Sequence, residues 1–420
     1  MNSAHKGASV TRRACLAGAG AAPLAASAAG KAAATTLKDA APLPDHDEFG
    51  DVQGAYLNSG SVHPFSRGAR RSVQRFLDSR SMSADAPDIS MYRLRQSVLA
   101  RYAALINADV SEVAYISSTS AGEALVVKAL GLPRRGGRIV TDALHFFGSF
   151  HLYNELRDAG MEVVIIRPRD DHQIHLEDME AAMTDDTVLV SISAISTING
   201  FQHDLAAVAA MAHAYGAKIY VDAIHAIGAV PFDVRASNID FAAGGSFKWL
   251  MGDMGLGFAY IRQDLISEVQ RPWAGYQQLA SFSSHVYPYD PPGEVAFETG
   301  ARDDATGLFA MGTYSNTGVA HLDWSLDYIS ALGVETIQAH RQPLIEKARR
   351  EMPRLGFEPM TAEDSTGPLI TWARENARAE LSERLEAAGV AVSLSRHRLR
   401  ISPSVFNTEA DIDRVLEALS

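Results

Sequence analysis

Three side chains set the chemistry to look for. Asp222 closes the apolar run KIYVD, His225 follows three residues later, and Lys248 comes after the small-residue segment AAGGSF. A lysine amine in a partly dry site is a nucleophile towards carbonyls and, once displaced, a base. A buried carboxylate beside it suits a cationic ring nitrogen. Together they fit pyridoxal 5′-phosphate, which a lysine holds as a Schiff base while an acid keeps its pyridine nitrogen protonated. Taken singly, each has a plainer reading: a solvated lysine, a helix-capping aspartate, a histidine bonded to backbone.

A phosphate group needs hydroxyls and free N–H groups at a helix start, where the dipole favours an anion. Ser118, Thr119 and Ser120 offer these between the strand-like run Val113 to Ser117 and the helical run Ala121 to Gly131. Ser246, two residues before Lys248, adds another hydroxyl. An ordinary serine-threonine helix cap is the competing reading.

Strands that would position these residues are expected at 113–117, 138–142, 162–168, 187–195, 218–223, 241–246 and 257–262. Helical spacing fills the gaps at 121–131, 148–159, 176–183 and 204–215, preceded by helices at 67–77 and 91–106. Apolar strands alternating with amphipathic helices imply an α/β fold, a mostly parallel seven-stranded sheet covered on both faces, with ligands beyond the carboxyl ends of its strands. After about Gly312 two helices (317–332, 334–352), short strands (367–373, 390–394, 399–402) and helices at 378–388 and 409–419 imply a smaller C-terminal α+β domain. The expected division is a leader at 1–30, a linker at 31–53, a large domain at 54–312 and a small one at 313–420.

The motif V-D-A-x-H-A-x-G at Val221 to Gly228, then S-F-K-W-L at Ser246 to Leu250 and the strand start GLGFAY, resembles the class V aminotransferase family of fold-type I pyridoxal phosphate enzymes, and most nearly its isopenicillin N epimerase-like branch. The resemblance covers roughly residues 54 to 420 and implies roles for further residues. His225 stands near the cofactor's phenolic oxygen. His145, in TDALHFF, is where a ring stacks on the cofactor, with Phe146 in that place if the register is one residue off. Thr197 replaces an asparagine that contacts the ring in desulfurases. Phe247 stands where many relatives have a polar phosphate ligand. Thr313, in Gly312-Thr313, reaches the phosphate of a second subunit, so a homodimer with shared sites is implied. Arg400, in RISPSVFNT, binds the α-carboxylate of an amino-acid substrate, for which a guanidinium's paired N–H groups are suited. Asn58, in YLNSGS, approaches that substrate. Arg396 and Arg398 share a strand face with Arg400, so a solvated basic edge is the competing reading there.

Composition bounds the function. The chain has 420 residues, 47% hydrophobic, and a formal charge of −12, which argues against nucleic acid as a general partner. No apolar run suits stable membrane insertion. The segment TRRACL at 11–16, an alanine-rich stretch to Ala29 and Ala26-Ser27-Ala28 resemble a twin-arginine export signal, so a periplasmic or secreted protein is expected, with a cytoplasmic protein as the alternative; a disordered tail or an organellar transit peptide is the competing reading of the segment itself. Gly18-Ala-Gly20 lacks the strand and third glycine of a dinucleotide fingerprint. The one cysteine, Cys15, lies in this leader. A desulfurase needs a cysteine thiolate, so that reaction is disfavoured and Cα–H chemistry, transamination or epimerisation through a Lys248 Schiff base, is expected. A cysteine-independent C–S lyase and a non-catalytic cofactor-binding protein are the alternatives.

Overall fold

The computed structural model describes residues 42–420. The expected leader, with Cys15, lies outside them. The seven expected strands form one sheet: β1 (Val113–Ile116), β2 (Arg138–Asp142), β3 (Glu162–Ile166), β4 (Thr187–Ser193), β5 (Lys218–Asp222), β6 (Phe241–Gly245) and β7 (Gly257–Ile261). Their spatial order is β1-β7-β6-β5-β4-β2-β3. Neighbours are parallel from β3 through β6, and β7 runs antiparallel to both β6 and β1.

The period-2 alternation of β5 shows why both faces must be covered. Ile219 and Val221 enter one core layer with Val98, Val208 and Leu322, whereas Tyr220 enters the other with Val126, Tyr153 and Phe309. Helices α1 (Arg67–Ser79), α2 (Met91–Leu105), α3 (Thr119–Ala129), α4 (Ser149–Asp158), α5 (Leu176–Ala181) and α6 (Leu205–Ala214) supply the covering faces with α7 (Asn316–Leu332). Strand β5 sits at the centre, so Asp222 at its carboxyl end lies between the ends of β4 and β6. In α3, a Cβ at Gly122 would fall 2.6 Å from the Ala243 Cβ, so this glycine lets the start of α3 press against β6.

The C-terminal part contains α8 (Val334–Glu351), α9 (Ala377–Ala387), α10 (Glu409–Leu419) and an antiparallel sheet of β8 (Glu358–Pro359), β9 (Ile370–Ala373), β10 (Ser393–Ser395) and β11 (Arg398–Ile401), ordered β8-β9-β11-β10. Its core joins Ile345, Trp372, Leu381, Leu399 and Ile412. Three expected boundaries are corrected here. Helix α7, expected within the small domain at 313–420, packs through Val319, Leu322 and Leu326 into the core of the large sheet. Ala55–Tyr56 pairs in parallel with Val390–Ala391, and Ala55 and Leu57 are buried in the small domain's core, so the segment expected to open the large domain packs with the small one. Part of the expected linker is also folded. The Asp45 carboxylate accepts from Glu48 N at 3.0 Å and Tyr328 Oη at 2.9 Å, and Phe49 packs on Tyr328 and Phe406.

Residues 280–301 form a unit of their own, built on a two-stranded sheet of Leu279–Ser284 and Phe297–Ala301 that sequence patterning did not anticipate. Among the described residues no helix is long and apolar enough to cross a membrane, and no cluster of metal-ligating side chains occurs.

Phe49, in the folded stretch of the expected linker, is 2% exposed. Phe49→Ala is expected to cost about 3 kcal/mol, read as a lowered urea midpoint at unchanged slope. A change within about 0.5 kcal/mol, usual for a surface position, would return this segment to the status of a linker.

Candidate active site

The carboxyl ends of β4, β5 and β6 and the strand β11 bring the reactive groups together. Asp222 ends β5, is 5% exposed, and accepts a hydrogen bond from Ile224 N at 3.0 Å. Burial raises its carboxyl above the usual range, opposed by the charges of His145 and Lys248. Lys248 stands on the turn between β6 and β7. Its Nζ lies 3.0 Å from His225 Nε2, and the other ring nitrogen, Nδ1, accepts from Trp249 Nε1 at 3.2 Å. Burial pushes the Lys248 amine down to about 8, with Asp222 pulling it up and Arg400 adding to the depression. Burial, with the Lys248 and Arg400 charges, also holds His225 well below its ordinary value. Gly228 has φ +84°, and a Cβ there would lie 2.5 Å from the Trp249 carbonyl oxygen. The glycine of the β5 motif therefore seats the lysine turn.

Arg400, on β11, is 7% exposed. Its guanidinium donates to the Thr197 carbonyl at 2.8 Å, to Thr197 Oγ1 at 2.7 Å and to Ser61 Oγ at 2.9 Å, and Ser61 Oγ donates to Asn58 Oδ1 at 2.7 Å. No carboxylate among the described residues pairs with it, and its Nε has no partner among them. Burial and the nearby Arg398 charge push it down to about 10. A buried cation held only by neutral oxygens is suited to an incoming carboxylate. Asn58 reaches this place because it forms a bridge with Ser402, just after β11. Thr197 stands beside the guanidinium, its carbonyl and Oγ1 both accepting from Arg400, which leaves its hydroxyl proton free to donate.

At the start of α3, Ser118 is the N-cap, accepting from Ala121 N at 3.1 Å, and Thr119 Oγ1 accepts from Gly245 N at 2.9 Å. Ser120 is exposed one residue further on. These hold the helix start against the end of β6 and leave its first turn open to an anion. Ser246 is corrected: it is fully buried, with its hydroxyl directed to the Asp253 and Leu256 carbonyls at 2.7 and 2.8 Å. It shapes the lysine turn from behind. Thr313 is exposed.

His145 is also corrected. Its ring has no exposed face, with Nδ1 2.7 Å from Ser193 Oγ and Nε2 3.0 Å from Glu123 Oε1. Phe146, one residue on, is the half-buried ring. Glu123, on α3, also accepts from Ser149 Oγ at 2.6 Å and from Tyr153 Oη. Nothing in the spacing of Glu123 marks it in the sequence, since it reads as one polar position on a helix. Burial would raise the Glu123 carboxyl, but the His145 charge and these hydrogen bonds outweigh it and leave it lowered. Burial likewise opposes the His145 cation, and Glu123, Asp222 and Asp142 outweigh that, leaving it raised. The pair ties α3 to the ends of β2 and β4.

A buried amine whose pKa is pushed down, an acid for a ring nitrogen, a helix start for a phosphate and an arginine with no carboxylate partner among the described residues fit a pyridoxal-phosphate site at the carboxyl ends of the strands of an α/β sheet. The aminotransferase class-V family model matches residues 90–415, and the chain belongs to that family. With the family comes the cofactor, pyridoxal 5′-phosphate, which the residues present fit. A protein of Methanothermobacter thermautotrophicus named probable cysteine desulfurase is 28% identical over 256 residues, 61% of this chain and 60% of that protein's length. Cysteine desulfurase IscS of Shewanella baltica is 26% identical over 326 residues, 76% of this chain and 78% of the relative. The structure of the cystine C–S lyase C-DES with its product cysteine persulfide superposes with a TM-score of 0.74 at 16% identity, covering 89% of this chain and 98% of that one. At that identity the likeness is one of fold.

These relatives overturn two expectations. Transamination or epimerisation, drawn from nearness to the epimerase-like branch, is overturned by relatives whose names are those of cysteine desulfurases. The exclusion of cysteine desulfurases, drawn from the position of Cys15, does not stand against relatives that carry that name.

The buried acid–histidine pair carries a pH signature. The lowered Glu123 contributes stability above its ordinary value of 4.5 that is lost as pH falls, and the raised His145 contributes below its ordinary 6.5 and loses it as pH rises. The stability difference between wild type and Glu123→Gln, measured by urea denaturation across pH, is expected to peak between those two values. A difference that stays flat with pH would show that no ionised pair exists.

Proposed function

We propose that this protein is a pyridoxal-phosphate-dependent C–S lyase acting on a sulfur-bearing amino acid of the cysteine or cystine type. The observation that carries the reading is that relatives aligned with 61% and 76% of the chain are desulfurases. The Lys248 and Arg400 arrangement supports it.

When bound, the cofactor withdraws electrons from the substrate's Cα and stabilises the charge left there by proton loss. Lys248 Nζ would hold it, with Asp222 as the acid for its ring nitrogen. The start of α3, with Ser118, Thr119 and Ser120, would take the phosphate, and the half-buried Phe146 would supply a ring for stacking. Arg400, oriented by Thr197 and by Ser61 on Asn58, grips the α-carboxylate and so fixes which Cα bond faces the lysine. The freed Lys248 amine, which burial makes easier to deprotonate than an exposed lysine, would take the Cα proton. The Cβ–S pair leaves with sulfur, as a thiol from cysteine or as cysteine persulfide from cystine. The three-carbon remainder hydrolyses to pyruvate and ammonia.

The homodimer belongs to the same proposal. Its support is Thr313, which the resemblance assigns to a second subunit's phosphate and which lies exposed on the single chain. A monomer in sedimentation at assay concentration would remove it.

Holoenzyme incubated with cystine is expected to release pyruvate and a cyanide-reactive persulfide, without a keto-acid acceptor. Lys248→Ala should abolish both this turnover and the visible absorbance of the lysine-bound cofactor. Turnover of cystine should survive Cys15→Ser, because sulfur leaves on the substrate fragment. Its loss in that variant would assign sulfur transfer to the Cys15 thiol. Keto-acid formation that depends on an acceptor, with no sulfur released, would defeat the lyase reading. Absence of any turnover would favour a non-catalytic binding protein.

A further inference from the structure

His225 is held between two nitrogen groups, 3.2 Å from Trp249 Nε1 at its Nδ1 and 3.0 Å from Lys248 Nζ at its Nε2. An indole N–H can only donate, so Nδ1 must be the bare nitrogen and Nε2 must carry the ring proton. That proton points at the lysine nitrogen. A neutral amine can accept it through its lone pair, whereas an ammonium would set N–H against N–H. The other tautomer would let an ammonium donate to Nε2, but it would turn Nδ1–H against the indole. We propose that Trp249 is a positioning residue which, by holding His225 as its Nε2–H tautomer, favours for Lys248 the neutral form that attacks a carbonyl.

The surroundings give the indole little room to turn away. Trp249 is 1% exposed, and Gly228 lies against its carbonyl so closely that a side chain there would collide with it. Arg341, on α8, is fully buried and places its guanidinium carbon 5.3 Å from the centre of the Trp249 ring. It donates to the Ala229 carbonyl at 2.7 Å, while its Nε and NH1 have no partner among the described residues. A cation over the ring face draws on the indole π electrons and strengthens its N–H as a donor. The charges acting on His225 are Lys248 and Arg400, and those acting on Lys248 are Asp222 and Arg400. None of them selects a tautomer. Only the indole does, because only it is bonded to Nδ1.

This inference rests on Lys248 as the reactive amine and not on which bond the enzyme breaks, so it is tested without substrate or cofactor. The full-length chain, freed of cofactor, is labelled with acetic anhydride across pH, and Lys248 acetylation is read by peptide mass spectrometry against the other lysines. Replacing Trp249 with 3-benzothienylalanine keeps the bicyclic shape and exchanges N–H for sulfur. Labelling of Lys248 at pH 7 is expected to fall about tenfold, the equivalent of one unit in the amine's pKa. Trp249→Phe should shift it in the same direction, with the fold checked by circular dichroism. In a His225→Phe background the benzothienyl exchange should change labelling less than about twofold, because the coupling runs through His225. Unchanged labelling in the single exchange, or an equal fall with and without His225, would overturn the proposal.

Discussion

Two cations buried in one site, with no carboxylate within ion-pair distance of either among the described residues, are the constraint around which the molecule is arranged. The Arg400 charge raises the cost of charge on Lys248, and burial opposes the charge on both. Removing a charge from water is expensive unless it is neutralised or hydrogen-bonded. The fold answers differently for each. Lysine can give up its proton and here is pushed towards doing so, whereas arginine keeps its charge and is given neutral oxygens from Thr197 and Ser61. The result is one group ready to bond a carbonyl and another ready for a carboxylate.

That arrangement depends on parts far apart in the chain. Arg400 comes from the small domain's sheet and Lys248 from the turn after β6. Ser61 arrives on a segment that follows its pairing with Val390–Ala391 and the bridge from Asn58 to Ser402. The N-terminal segment is therefore part of the Arg400 side of the site, and the folded stretch with Asp45 and Phe49 precedes it. Behind the site, Glu123 and His145 tie α3 to the ends of β2 and β4, so the anion-binding helix start and Asp222 share one rigid support.

Much of the architecture was legible because strand alternation and helix spacing are local properties. Each of the seven large-sheet strands was placed to within two residues, and Glu409–Leu419 was bounded by its Thr408 capping box. The sheet at 279–301 was not, because its exposed apolar residues lack the one-sided burial that makes alternation readable. The site residues divided on the same principle. Asp222, His225 and Lys248 belong to a motif that also fixes their neighbours. His145, Ser246 and Thr197 were assigned by position alone, and position does not say towards which partner a side chain turns.

By itself the sequence determined the fold class, the family and the cofactor, because the β5 motif and the lysine turn place an acid and an amine at adjacent strand ends in any parallel sheet they join. Tertiary structure decided what each polar group does. His145 went to Glu123, Ser246 to backbone carbonyls and Thr197 to Arg400, since a buried donor or acceptor must find a partner and the nearest one comes from elsewhere in the chain. It also set Trp249 against His225, a contact between residues 24 positions apart that no motif spacing reveals.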